Sequence, residues 1–335
     1  MLPKTLAALF LFCTGAYATA RTAPPSGAVV VRGSGTQAGE FSTFTAAINS
    51  LPADTSARTI FVYPGTYTEQ VRITRAGNLT IFGYTNDVMN HAVNQVRLTF
   101  GLSQGTAGAG ELSATLRIDK AFFKLYNVDV VNSFNNRSAA GAQALAVAGY
   151  GSKLGLYAVG FYGYQDTLRA EKGVQFYGLC YIEGAVDFIF GQSGHAFFHR
   201  NTIASVDGGA ITADGPDTAD LSLYVINLST LTTSTAATAN LTGKVFLGRP
   251  WSAAAQVVYI STNMGAHINP AGWEPWSTAE PNTSGVLFAE FGSTGPGAAG
   301  TRASFSKKLT SAAGFGIADV LGANWATWVD ATYFT

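Results

Sequence analysis

An all-β chain wound as a right-handed parallel β-helix is the fold this sequence predicts, on three observations. Charged residues make up only 12% of the 335, while glycine numbers 38. Short apolar strands alternate with Gly, Asn and Asp: Thr59–Tyr63, Leu79–Phe82, Ala121–Val131, Leu154–Tyr162, Val174–Ile182, Ala196–Ile203, Leu221–Leu228 and Gln256–Ile260. An aromatic recurs in these strands at Tyr126, Tyr157, Tyr177, Phe198, Tyr224 and Tyr259, at steps of 31, 20, 21, 26 and 35 residues. A shortest step of roughly 20 with longer excursions is what a stacked solenoid gives, one coil per repeat and insertions as loops. Hairpin folds turn more often, about every 8–12 residues, and a β-sandwich is the alternative that periodicity alone leaves open.

Taken from the N-terminus, the first element is a leader. Lys4 supplies a positive start, Leu6 to Phe12 a short apolar run, and Ala16-Tyr17-Ala18 a small-residue cleavage site. This predicts a signal peptide over 1–18, with a second possible cut after Ala20, and a single β-helix domain over 19–335. The apolar run is too short to span a bilayer, so the mature chain is expected to be secreted and extracellular, with no membrane partner. Loss of Lys4 takes the formal net charge of 0 to about −1. No basic stripe suggests nucleic acid.

Phe44, Ile48 and Leu51 fall on one helical face behind Ser42 or Thr43 as cap, with Pro52 at the exit. A short helix capping one end of the solenoid is expected there. The segment from Lys307 to Trp328, with Leu309, Phe315, Val320, Leu321 and Trp325, is expected to be a helical cover over the C-terminal coils. Cys13 leaves with the leader, so Cys180, in an apolar strand, is expected to be a buried free thiol rather than half of a disulfide. N-x-S/T sequons begin at Asn78, Asn136, Asn227, Asn240 and Asn282.

The chemistry-bearing residues emerge from phase. Asp166 and Asp187 are 21 residues apart, the same step as Tyr177 to Phe198, and Gln143 and Gln165 are 22 apart. Positions one coil apart stack at about 4.8 Å. Two carboxyls that close do not readily ionise together, so one is held protonated; an acid beside a base is a working pair. Asp187 stands inside the apolar run Val186 to Phe190 and needs a partner. Arg249, in Leu247-Gly248-Arg249-Pro250-Trp251, can offer bidentate geometry; it would lower the pKa of Asp187 and leave Asp166 as the raised member.

These residues carry a resemblance. Gly163-Tyr164-Gln165-Asp166-Thr167-Leu168, Asp187-Phe188-Ile189-Phe190-Gly191 and Leu247-Gly248-Arg249-Pro250-Trp251 resemble the three signature blocks of pectin methylesterases. Gly65-Thr66-Tyr67-Thr68-Glu69, Gln143-Ala144-Leu145 and Pro270-Ala271-Gly272-Trp273 with Trp276 are similar to further blocks, in family order from about residue 40 onward. The resemblance implies a β-helical carbohydrate esterase acting on methylated pectin (homogalacturonan). By it Asp187 is the nucleophile, Asp166 the general acid and then base, and Arg249 the residue orienting Asp187. Gln143 and Gln165 hold the oxyanion, and Trp251 and Phe190 line the sugar cleft. Arg169 departs from the pattern, standing where some members place an aromatic against the sugar. The absence of disulfides and of an N-terminal pro-region is more like the fungal branch.

Other readings are weaker. Gly101-Leu102-Ser103-Gln104-Gly105 matches a nucleophile elbow, but Thr106–Gly110 is glycine-rich and expected to be an unhelical loop. His195 and His199 are expected to lie in a strand, where their spacing gives no ligand face. No metal and no cofactor is expected, and the enzyme is expected to work as a monomer. A glycosidase with paired Asp residues, a calcium-dependent lyase and a glycan-binding solenoid are the rivals.

Overall fold

The computed structural model describes residues 19–134 and 140–334. The leader, Cys13 and the Asn136 sequon lie outside the described residues. Three parallel sheets of eleven, seven and eight strands form the walls of a right-handed β-helix.

One coil shows the construction. Leu154–Tyr157 joins the eleven-stranded sheet, Gly160–Tyr162 the eight-stranded sheet and Leu168–Ala170 the seven-stranded sheet. The next coil, Lys172–Gly178, Tyr181–Gly184 and Ile189–Gly191, pairs with it at Leu156↔Tyr177, Phe161↔Ile182 and Leu168↔Ile189. All six of these side chains are fully buried. Each coil therefore adds one inward layer from each wall, and stacking repeats that burial down the axis.

Four stretches read from the sequence as single strands are each two strands. Asn127, Ala158, Leu179 and Arg200 break them in the left-handed region, φ 49 to 55°, and Leu228 and Ser261 continue the series at 49 and 48°. A non-glycine residue there costs about 1–2 kcal/mol. Here the corners stack and bond one another: Ala158 N–H donates to Gly178 O at 2.9 Å, Leu179 to His199 O at 3.0 Å and Arg200 to Asn227 O at 3.0 Å. None of the four bend residues is itself glycine or proline, and only Asn127 is of a type that favours the conformation, so the sequence gives little sign of them.

The aromatic series is two ladders. Leu156, not Tyr157, opposes Tyr177. Tyr177 and Phe198 stack inside the core, centroids 4.6 Å apart and 7° from parallel. Tyr126 and Tyr157 stack at 4.5 Å on the outer side of the same sheet. Tyr224 opposes Ala196, and Tyr259 opposes Ile226. The step of 20 is thus a change of ladder, and the coil period at the site is the 21 residues of Asp166 to Asp187.

The N-terminal helix, Phe44–Asn49, plugs one end. Thr43 Oγ1 caps Ala46 N–H at 3.1 Å, and the Glu69 carboxylate accepts from Phe44 N, Thr45 N and Thr45 Oγ1 at 2.7, 2.9 and 2.6 Å. The Gly65 to Glu69 block is therefore structural. The helical C-terminal segment is present: after a final strand at Lys307–Lys308 come a short helix at Ile317–Leu321 and 3-10 turns at Trp325–Thr327 and Ala331–Tyr333. Its reach is corrected, because it does not stop at the last coils. Ile317, Val320, Trp328 and Tyr333 run back along the outer face of the eleven-stranded sheet over Val258, Val225, Phe197, Phe176, Tyr157 and Tyr126. Tyr333 Oη finally donates to Val88 O at 2.9 Å.

Cys180 is fully buried and free, its thiol donating to Leu156 O at 3.4 Å and pushed by burial up to about 12. His195 and His199 lie in the strand Ser193–His199, and His199 is buried with Nδ1 against the Asn227 amide at 3.0 Å.

Candidate active site

The strand Gly160–Tyr162 leaves its sheet through a turn, Gly163 to Thr167, before Leu168–Ala170 begins. The following coil repeats the turn before Ile189–Gly191. Asp166 and Asp187 occupy equivalent places, bent into the left-handed region at φ 64 and 51°. Aspartate tolerates that conformation better than most residues. Asp166 N–H donates to Val186 O at 3.0 Å, and Asp187 N–H to Ala210 O at 2.7 Å. The sharp bend turns both carboxyls out of the coil onto one cleft.

Arg249 follows the strand Val245–Gly248 and is anchored by its own N–H to Thr212 O at 3.0 Å. Gly248 must lack a side chain, since a Cβ there would run into Thr212 Oγ1 and crowd the Trp273 ring. The guanidinium meets Asp187 in two parallel bonds, Nε to Oδ1 at 2.8 Å and Nη2 to Oδ2 at 2.7 Å. Its other face lies 4.4 Å over the Trp276 ring. Position and orientation of Asp187 are thus fixed together.

Electrostatics separate the two carboxyls. Burial holds Asp166 well above the ordinary carboxylate range, and the charge of Asp187 adds to it. Burial also pushes Asp187 up, while its bonds from Arg249 offset part of that rise. Arg249 acts downward on Asp187 as expected, but desolvation, which the spacing does not show, outweighs it and leaves the net shift upward. Asp166 is held well above its ordinary range while Arg249 offsets part of the rise at Asp187, which favours Asp187 as the member that ionises first.

A cleft of about 640 Å³ holds Asp166, Asp187, Arg249, Gln143, Gln165, Phe190 and Trp251 together, a size suited to a small ligand or a few sugar units. Gln143 is displaced from the expected stack by one residue. Ala144, not Gln143, bonds to Gln165 through its N–H, at 3.1 Å. Phe190 lines the cleft and is also 5% exposed, packed with Ala114, Leu145, Ala148 and Ala213. Trp273 is core, stacked on Phe288 at 4.3 Å, whereas Trp276 is cleft wall beside Trp251 at 6.4 Å.

Sequence reasoning missed the opposite wall. Gln104 and Gly108 to Gly110 line the cleft from the loop after the strand Val96–Phe100. That loop begins with a helical turn, Gln104–Ala107, which corrects the expected absence of helix. Ser103 is its cap, near Thr106 N at 3.4 Å and Thr106 Oγ1 at 3.3 Å, so it serves the turn. The signal was the capping pattern of Ser103 with its following polar residues, hidden by the glycines. Arg169 also lines the cleft, in one sheet row with Phe190 and Ala213. Among the described residues no group of three His, Cys, Asp or Glu side chains could hold a metal ion.

Comparison with known proteins identifies the family. The family model described as Pectinesterase matches residues 28–312. The Pectinesterase of Aspergillus niger is 42% identical over 98% of this chain and 99% of its own, and that of Aspergillus aculeatus is 42% identical over 99% of each. The solved pectin methylesterase from Aspergillus niger superposes with a TM-score of 0.86 at 35% identity, covering 94% of this chain and all of that one. A pectin methylesterase solved in complex with a hexasaccharide gives 0.74 at 26% identity, covering 88% and 97%. With its three signature blocks gathered on one cleft and its relatives matched end to end, this chain belongs to the pectinesterase family.

Proposed function

We propose that this enzyme hydrolyses the methyl esters of polygalacturonate in pectin through an acyl-enzyme on Asp187. The observation that carries the reading is the bidentate Arg249–Asp187 pair one coil from Asp166, whose carboxyl burial and the Asp187 charge hold well above the ordinary range. A carboxylate oxygen of Asp187 attacks the ester carbonyl carbon, and the resulting oxyanion is met by the Gln143 and Gln165 amides. As the C–O bond breaks, Asp166 gives its proton to the departing methoxy group, which leaves as methanol. Water then attacks the mixed anhydride and yields its proton to Asp166. Asp187 leaves as carboxylate, and the galacturonyl acid is released. Phe190, Trp251 and Trp276 offer flat apolar faces to the sugar rings.

The mature chain is secreted, begins after Ala18 or Ala20, forms one domain and acts as a monomer. Thr19 O accepts from Val88 N at 2.8 Å, and Arg21 pairs with Thr85, which favours the cut after Ala18. Asn78 and Asn240 are exposed and suit glycosylation. The Asn282 amide instead donates to Trp251 O at 3.1 Å. Incubation with highly methylated pectin tests the reading: methanol without new reducing ends or unsaturated uronate is expected. Reducing ends would mean a glycosidase, unsaturated uronate a lyase, and no product a binding module.

A further inference from the structure

The first side chain beyond the catalytic turn to line the cleft is Arg169. Its guanidinium lies 5.4 Å from the Tyr150 ring and 5.5 Å from that of Phe190. Standing alone, it would be a natural receptor for the carboxylate of a uronate already stripped of its ester. It does not stand alone. Nε donates to Glu171 Oε2 at 2.7 Å, Nη1 lies 3.7 Å from Glu111 Oε2, and Nη2 reaches Gln192 Oε1 at 3.4 Å. Glu171 follows Arg169 out of the same strand, and Glu111 comes from the 3-10 turn Gly110–Ser113 next to the opposite wall. With Asp166 protonated, the carboxylates of Asp187, Glu171 and Glu111 face the guanidiniums of Arg169 and Arg249. The next arginine along the sheet row, Arg117, is engaged by Asp119 at 2.9 Å. The position beside the catalytic pair is therefore neutral to negative, and a free carboxylate arriving there meets repulsion in a partly desolvated cleft.

We propose that Glu111 and Glu171 are specificity-determining residues: by neutralising Arg169 they make the enzyme choose an ester whose neighbouring galacturonosyl units are still esterified. The inference rests on the pectin-ester reading above. It assigns to two half-buried acids what would otherwise be ascribed to the overall charge of the protein.

The test uses Glu111→Gln, Glu171→Gln and the double variant, each keeping an acceptor oxygen for Arg169 while removing charge. Methanol release is followed on highly esterified pectin and on pectin randomly saponified to low ester content. The ratio of kcat/KM on the second substrate to that on the first should rise about fivefold in the double variant. Arg169→Gln, which leaves both acids without their cation, should lower the ratio below that of the wild type. An unchanged or lower ratio in the glutamine variants overturns the inference. If a variant does not fold, the wild type alone decides. Raising sodium chloride should lower its KM for the saponified pectin, by screening repulsion, and a rise would overturn the inference. Wild-type methanol release from highly esterified pectin is the separate control. Its absence would defeat the pectin-ester reading itself, whereas methanol with an unmoved ratio defeats only the role of the two acids.

Discussion

Asp166 and Asp187 are the same residue in the same backbone conformation, and they differ only in what stands beside them. Arg249 bonds one and not the other. That asymmetry separates the proposed nucleophile from the proposed acid, and it predicts the pH profile. Activity should rise as Asp187 loses its proton, at a pH above the usual carboxylate value of about 4, because burial holds it up. Activity should fall again as Asp166 ionises, at a clearly higher pH. Replacing Arg249 by Lys keeps a charge but loses the fork, so the acid limb of kcat/KM should move up by about one unit; an unmoved limb would mean that Arg249 does not tune Asp187. The oxyanion site of two amides proposed above further predicts that EDTA leaves methanol release intact, and a collapse restored by calcium or zinc would refute it.

The residues of this pair were legible in the sequence because their spacing equals the coil period. Arg249 was legible as a chemical complement, but its place was not, since loops separate it from the pair. The sign of the Asp187 shift was missed because spacing carries no information about desolvation. Gln104 and the wall around Gly108 were missed for another reason, as a loop folded back across the cleft has no periodicity to read.

At the scale of the element, the two ends of the solenoid rest on different devices. The capping helix is short, and its exposed N–H groups are met by the Glu69 carboxylate. Glu69→Ala should cost about 1–2 kcal/mol of stability, read by chemical denaturation, with kcat on pectin unchanged. Loss of activity without loss of stability would move that block from scaffold to site. The C-terminal strap covers Tyr126 and Tyr157 far from its own coil, and Tyr333 is 3% exposed at its end. Tyr333→Ala should cost about 3 kcal/mol and loosen the distant Val88 segment, seen as faster amide exchange there. The helix was readable from its face and cap. The strap was not, because it packs by shape against an outer ladder that the sequence runs together with the inner one.

For the whole molecule, the β-helix was visible as a period, and its corners were not, since Ala158, Leu179 and Arg200 turn the chain without glycine. The period nonetheless brings buried acids into register with apolar walls, and that sets how stability varies with pH. Asp214 is fully buried, accepting from Ser222 Oγ at 2.6 Å and Gln256 N at 2.7 Å, and burial pushes it up to about 7. Burial likewise pushes Asp129 up to about 6. A carboxyl whose folded pKa is raised contributes stability below its unfolded value that is lost as pH climbs to the folded one. The melting temperature should therefore decline between about pH 4 and pH 7, and Asp214→Asn should flatten that decline. A wild type that gains stability across this window would contradict the burial of these acids.

The division of labour between the two aspartates is tested most directly by turnover of Asp187→Asn and Asp166→Asn on a methyl ester and a nitrophenyl ester, with folding checked by circular dichroism. Asp187→Asn should lose essentially all turnover on both, because an amide cannot form the acyl-enzyme. Asp166→Asn should lose about 10²–10⁴-fold on the methyl ester and regain much of it on the nitrophenyl ester, whose alcohol leaves without a proton. Substantial methyl-ester activity in Asp187→Asn, or rescue of Asp187→Asn rather than Asp166→Asn by the nitrophenyl ester, would contradict the assignment.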